Sequence, residues 1–123
     1  MLVFKAAAVA ATELADLNAF VVVFAENADG SGERLEVSRA LVEDEQSRAL
    51  GLDTYCLSTE AGATCYGGVA SWSLSAGTLE ILLDATAAET LGVEGGLRIE
   101  LNVGREAQEA AKAGLTRVLE GAG

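Results

Sequence analysis

Between residues 97 and 103 apolar side chains occupy every second position, Leu97, Ile99, Leu101 and Val103 against Arg98, Glu100 and Asn102. From 105 to 120 the spacing lengthens to three or four, with Ala107, Ala110, Ala111, Leu115, Val118 and Leu119 in one stripe and Arg105, Gln108, Glu109, Lys112, Thr116 and Glu120 facing away. Alternation marks a strand buried on one face, and the longer period marks a helix laid on a sheet. The chain therefore reads as a sheet closed by a helix, which Gly121 ends. Alanines and Gly114 dominate the stripe, and an internal glycine costs about 1 kcal/mol relative to alanine. Their presence implies a close approach of helix backbone to sheet.

Strand signals recur upstream. Leu79, Ile81 and Leu83 share one face of 78–83, and Leu35 and Val37 alternate with Arg34, Glu36 and Ser38. The run FVVVFAE at 20–26 is β-branched and aromatic, as expected of a central strand covered on both faces. NADGSG at 27–32 then joins two strands as a hairpin. Residues 4–13 suit a helix by their alanines and a strand by the alternation of Phe4, Ala6, Ala8 and Ala10; strand is the preferred reading. Within DATAAETLGVEGG at 84–96, either Asp84 or Thr86 can cap a short helix that Gly92 ends, and Glu89 stands at capping-box distance from Thr86. The expected fold is α+β, a mostly antiparallel sheet of about six or seven strands with the C-terminal helix packed across one face. At 123 residues the chain is expected to form one domain, 1–123.

The stretch TYCLSTEAGATCYGGV at 54–69 holds both cysteines and both tyrosines. With TEAG at 59–62 as a turn and Gly62 at its positive-φ position, Ser58 faces Ala63 and Cys56 faces Cys65; a slip of one residue separates the thiols. The chain has no histidine to act as base, and neither cysteine lies in a Cys-x-x-Cys motif, so these read as buried apolar residues rather than a nucleophile, redox pair or metal site. Tyr55 and Tyr66 serve equally as sheet residues or as interface anchors, whereas Trp72 reads as core. Gly67 and Gly68 mark a bulge or bend.

Nineteen acidic residues against eight basic ones give a formal charge of -11. Such a field repels nucleic acid and anionic membranes and speeds encounter with basic partners. Glu43, Asp44, Glu45 and Gln46 form an acidic loop, either solvated or in contact with such a partner. No apolar run approaches the roughly 20 residues that cross a bilayer. The N-terminus lacks the charged region of a secretory signal, so free thiols in a cytoplasm are expected. Phosphate loops and catalytic triads are missing, and the paired glycines of VEGGLR at 93–98 precede a strand rather than a helix. Neither catalysis nor a cofactor or metal is expected.

The segments FVVVFAENADG at 20–30, DEQS at 44–47, GLDTYCL at 51–57, CYGGV at 65–69 and LEILL at 79–83, followed by AAETLGV and the closing helix, together resemble the immunity protein 10 family of bacterial polymorphic toxin systems. The resemblance implies a cytoplasmic protein made beside a toxin gene, which binds and blocks the cognate toxin domain. It supplies no site residues. The toxin that the resemblance implies is expected, from the chain's charge, to be basic, a nuclease being one such, and to be contacted by Glu43, Asp44, Glu45, Gln46, Tyr55 and Tyr66. The alternative is a self-associating sheet protein, a homodimer through strand 20–25 or a sheet edge, with a structural or small-ligand-binding role.

Overall fold

The computed structural model describes residues 1–41 and 55–120. In chain order these form β1 (Leu2–Ala6), β2 (Ala8–Leu14), a 3₁₀ turn (Ala15–Leu17), β3 (Ala19–Ala25), β4 (Arg34–Ala40), β5 (Cys56–Thr59), β6 (Thr64–Tyr66), β7 (Val69–Ser75), β8 (Thr78–Leu83), α1 (Ala85–Leu91), β9 (Gly96–Leu101) and α2 (Arg105–Leu119). The alanine-rich start is strand, as read from its alternation.

The fold is α+β and mostly antiparallel, with the C-terminal helix packed against sheet, as expected. Its strands are divided between two sheets, of order β1-β9-β8-β7 and β2-β3-β4-β5-β6. Among the described residues only the β1–β9 pair is parallel. Alternation reports which face a strand buries, not where the chain leaves one sheet for another, so this division was invisible in the pattern.

Two corners make the division. At Ala7 the first strand bends: Ala7 N–H donates to Ala25 O at 2.9 Å in one sheet, while Asn102 N–H donates to Ala6 O at 2.8 Å in the other. The second corner is Gly67–Gly68, both at positive φ, +73° and +95°. There Gly67 N–H donates to Tyr55 O and Asp84 N–H to Gly68 O, each at 2.9 Å. Glycines marking a bend were expected at this point.

Because the edge strands of one sheet run on into edge strands of the other, both inner faces share one core. Phe24, Leu35 and Leu57 of one sheet, Leu79, Ile81, Leu97 and Ile99 of the other, and Leu115 of α2 are fully buried in it. Each such side chain contributes about 1.5–3 kcal/mol relative to exposure. Among the described residues no polar or charged side chain is buried. The expectation that 20–26 is covered on both faces holds for one only: Val22 and Phe24 are buried inward, whereas Val21 and Val23 on the opposite face are half-buried.

Helix α2 buries Ala111, Gly114, Leu115 and Val118, while Ala110, read as part of the stripe, is exposed. A Cβ at Gly114 would lie 2.8 Å from Val22 Cγ2 and 3.2 Å from Ala11 Cβ, so the helix backbone rests almost on the sheet. Its last turn is tied down by Arg39, whose Nε donates to Val118 O at 2.8 Å, and by Arg117, stacked 4.2 Å over the Phe20 ring and paired with Glu13. In α1 the cap is Asp84, whose Oδ1 accepts from Ala87 N–H at 2.8 Å, and Gly92 ends the helix at φ +71°.

Replacing Gly114 by Ala gains about 1 kcal/mol of helix propensity but forces a methyl into contact with Val22 and Ala11, where overpacking costs about 1–3 kcal/mol. A net loss of up to about 2 kcal/mol is expected, read from urea denaturation midpoints. The β7–β8 turn has the opposite sign. Ala76 and Gly77 both adopt left-handed backbone, φ +51° and +78°, the geometry of a type I′ hairpin. Ala76→Asn creates the preferred Asn-Gly pair and should stabilise by about 0.5–1 kcal/mol.

Candidate functional site

The cysteine hairpin folds in a different register from the one expected. Thr59 N–H donates to Ala63 O at 3.1 Å and Gly62 N–H to Thr59 O at 3.0 Å, which makes a three-residue connection, 60–62, with Gly62 at φ +87°. That is the bulged hairpin turn, one residue shorter than the four-residue turn anticipated. Ser58 therefore faces Thr64, Leu57 faces Cys65, and Cys56 faces Tyr66. The slip puts both Leu57 and Cys65 inward, and the thiols stand on opposite faces of the sheet. Cys65 is buried and Cys56 half-buried, both free.

Burial pushes both thiols above the ordinary cysteine value. For Cys56 the hydroxyls of Ser58 and Ser38 pull partly the other way; for Cys65 the charges of Cys56 and Asp84 add to the rise. A raised value means little thiolate at neutral pH, the reverse of what activates a nucleophile.

The two tyrosines play different parts. Tyr55 packs half-buried against the core, and its hydroxyl accepts from Val69 N–H at 2.8 Å, bracing the second corner. Tyr66 points outward and is 54% exposed. It borders a cleft of about 300 Å³ between β6 and α1, with Thr64, Gly68, Asp84, Thr86 and Thr90 in its walls. Gly68 sets the width of this junction, since a Cβ there would meet Ala87 Cβ at 2.4 Å. Helix α1 thus sits directly on the backbone of the corner, at the end where Tyr66 emerges. The pair of glycines was the only sign of this in the chain, and nothing in the pattern pointed to a cleft.

Among the described residues the charged side chain in the walls of this cleft is Asp84. From 55 to 97 the chain carries Glu60, Glu80, Asp84, Glu89 and Glu94 but no lysine or arginine. Of these only Glu80 has an ion pair among the described residues, with Arg98 at 2.7 Å. A second acidic region is the β3–β4 turn, where Glu26, Asp29 and Glu33 lie within eight residues. Asp29 is held below the usual carboxylate value by the Ser31 hydroxyl, 2.6 Å away, and by Ser31 N–H at 3.0 Å.

Of the expected contact residues, Tyr66 is exposed beside acidic groups and Tyr55 is largely engaged within the fold. Glu43, Asp44, Glu45 and Gln46 lie outside the described residues. Among the described residues no group of three or more His, Cys, Asp or Glu side chains could hold a metal ion, and no helix is long and apolar enough to cross a membrane.

A protein-family model described as Immunity protein 10 matches residues 5–109. No curated protein and no solved structure matches the chain.

Three outcomes follow from the geometry. Tyr55→Phe leaves Val69 N–H without its acceptor and should cost about 1–2 kcal/mol in denaturant unfolding. Iodoacetamide should alkylate both cysteines more slowly in the folded than in the unfolded chain at pH 8, Cys65 slowest, with rates rising as pH is raised. Peptide mapping after mild oxidation should find no Cys56–Cys65 link in the folded protein.

Proposed function

The chain belongs to the immunity protein 10 family, and we propose that it binds and neutralises a cognate bacterial toxin domain in the cytoplasm, without chemistry of its own. The observation that carries this reading is the family match over most of the chain. An excess of eleven negative charges supports it further, since it favours a basic partner and is left largely unneutralised around Tyr66 and α1. A nuclease is the class of toxin that such a surface suits best, because enzymes acting on nucleic acid present basic surfaces that an acidic protein can cover.

In this account charge steers and aromatic surface anchors. Glu43, Asp44 and Glu45, with Asp84 and Glu89 at α1, draw the partner in, Gln46 adds a polar contact beside them, and Tyr66 supplies an apolar face with a polar tip for the contact itself. Tyr55 contributes chiefly by holding the corner from which Tyr66 projects.

The test is to purify the chain with the toxin domain encoded beside its gene and to follow association by stopped flow. Association should slow as salt is raised. Changing Glu43, Asp44 and Glu45 together to Lys should slow it by about tenfold or more. An unchanged rate would remove the loop from the account, and a chain that neither binds nor protects cells from that toxin would overturn the reading.

A further inference from the structure

We propose that the free edge of β7 receives an extended segment of the basic partner, which adds a fifth strand to the four-stranded sheet β1-β9-β8-β7. The proposal rests on the toxin-binding reading and names the surface that would carry it.

The phase of the β7–β8 ladder decides which backbone groups are available. A two-residue turn at Ala76–Gly77 makes Ser75 and Thr78 a hydrogen-bonded pair, and the pairs alternate from there. Ser73 and Glu80 therefore also exchange hydrogen bonds, while the N–H and C=O groups of Trp72 and Leu74 point away from β8. No hydrogen bond within the described residues meets those outward groups.

Other strand edges are blunted. β6 has only three residues and lies against α1, β2 lies against α2, and β1 runs on into β2. By contrast β7 is seven residues long, VASWSLS, without charge or proline, and its one irregularity is confined to Val69–Ser71. Charges, prolines and bulges are the devices that keep edges from pairing, and from 71 to 75 this edge has none.

Beside the edge runs a groove between β7 and α2. Two adjoining clefts of about 490 and 380 Å³ share Leu74 and Lys112. Half-buried Trp72 and Leu74 form the apolar side, and Gln108, Lys112, Thr116 and Glu120 form the polar wall. Every second side chain of an added strand would enter this groove, which gives the site a means of selecting sequence as well as backbone.

Charge selects the occupant. Arg105 and Lys112 against Glu109 and Glu120 give the groove two charges of each sign, so the bias comes from the chain as a whole. A second copy would bring another -11 against the first, whereas a cationic segment is attracted.

Amide hydrogen exchange with the toxin domain encoded beside this gene provides the test. In the free chain the Trp72 and Leu74 amides should exchange quickly and those of Ser73 and Ser75 slowly. In the complex Trp72 and Leu74 should slow by about tenfold or more. Leu74→Pro removes an outward N–H without touching the ladder to β8, and should weaken binding by about tenfold. Should that variant fail to fold, exchange in the unaltered chain decides alone. A stable complex in which the two amides exchange as in the free chain would overturn the strand-addition proposal and leave toxin binding standing. Protection that appears without toxin as chain concentration rises, with doubled mass in solution, would assign the edge to a second copy and overturn it equally. An unaltered chain that does not bind the toxin domain at all would defeat both readings.

Discussion

Two sheets share a single core here because the backbone passes between them twice, at Ala7 and at Gly67–Gly68, with hydrogen bonds to both sheets at each crossing. Everything else is arranged around those corners. An alternating strand has one apolar face to cover, and the corners turn the two apolar faces toward each other. The second corner also carries α1: only a glycine at 68 allows Ala87 to rest against the chain there. Tyr55 then braces the same point from the core side. One junction thereby fixes the path of β6 and β7, the seat of α1 and the direction in which Tyr66 projects.

Legibility in the sequence followed the range of the interaction. Alternation and the change of period at residue 105 identified strands and the final helix, because side-chain direction along one element is local. Gly62 and Gly92 were read correctly as left-handed positions for the same reason. The cysteine register was not: whether the turn holds three residues or four changes the partner of every residue after it, and the apolar demand of Leu57 and Cys65 settles the matter only in three dimensions. Partition into two sheets was hidden too, since it depends on which distant strand accepts from Ala7 and Asn102. Of the contact residues, Tyr66 has the exposure an anchor needs, while Tyr55 shows how an aromatic residue with the same local pattern can be absorbed by a backbone N–H that lies 14 positions away.

Charge and core are separated in this molecule. No charged side chain among the described residues is buried, so the excess of carboxylates imposes no desolvation cost on the interior and acts through the surface field. Apart from Asp84, which caps α1, the fold can therefore tolerate substitution of surface acids with little loss of stability, which leaves that field adjustable to a partner. Among the described residues Lys5–Glu100, Arg98–Glu80 and Arg117–Glu13 join separate elements, Arg34–Glu36 and Arg105–Glu109 lie each within one, and together they leave α1 and the β3–β4 turn negative.

The slip that separates Cys56 from Cys65 also makes the fold neutral toward redox conditions. Its corners and its core hold without any covalent brace, so a reductant has nothing to cut. An oxidant, for its part, finds within one folded chain no two sulfurs it can join, because a β-sheet stands between them. The same polypeptide would keep its shape in a reducing or an oxidising compartment alike.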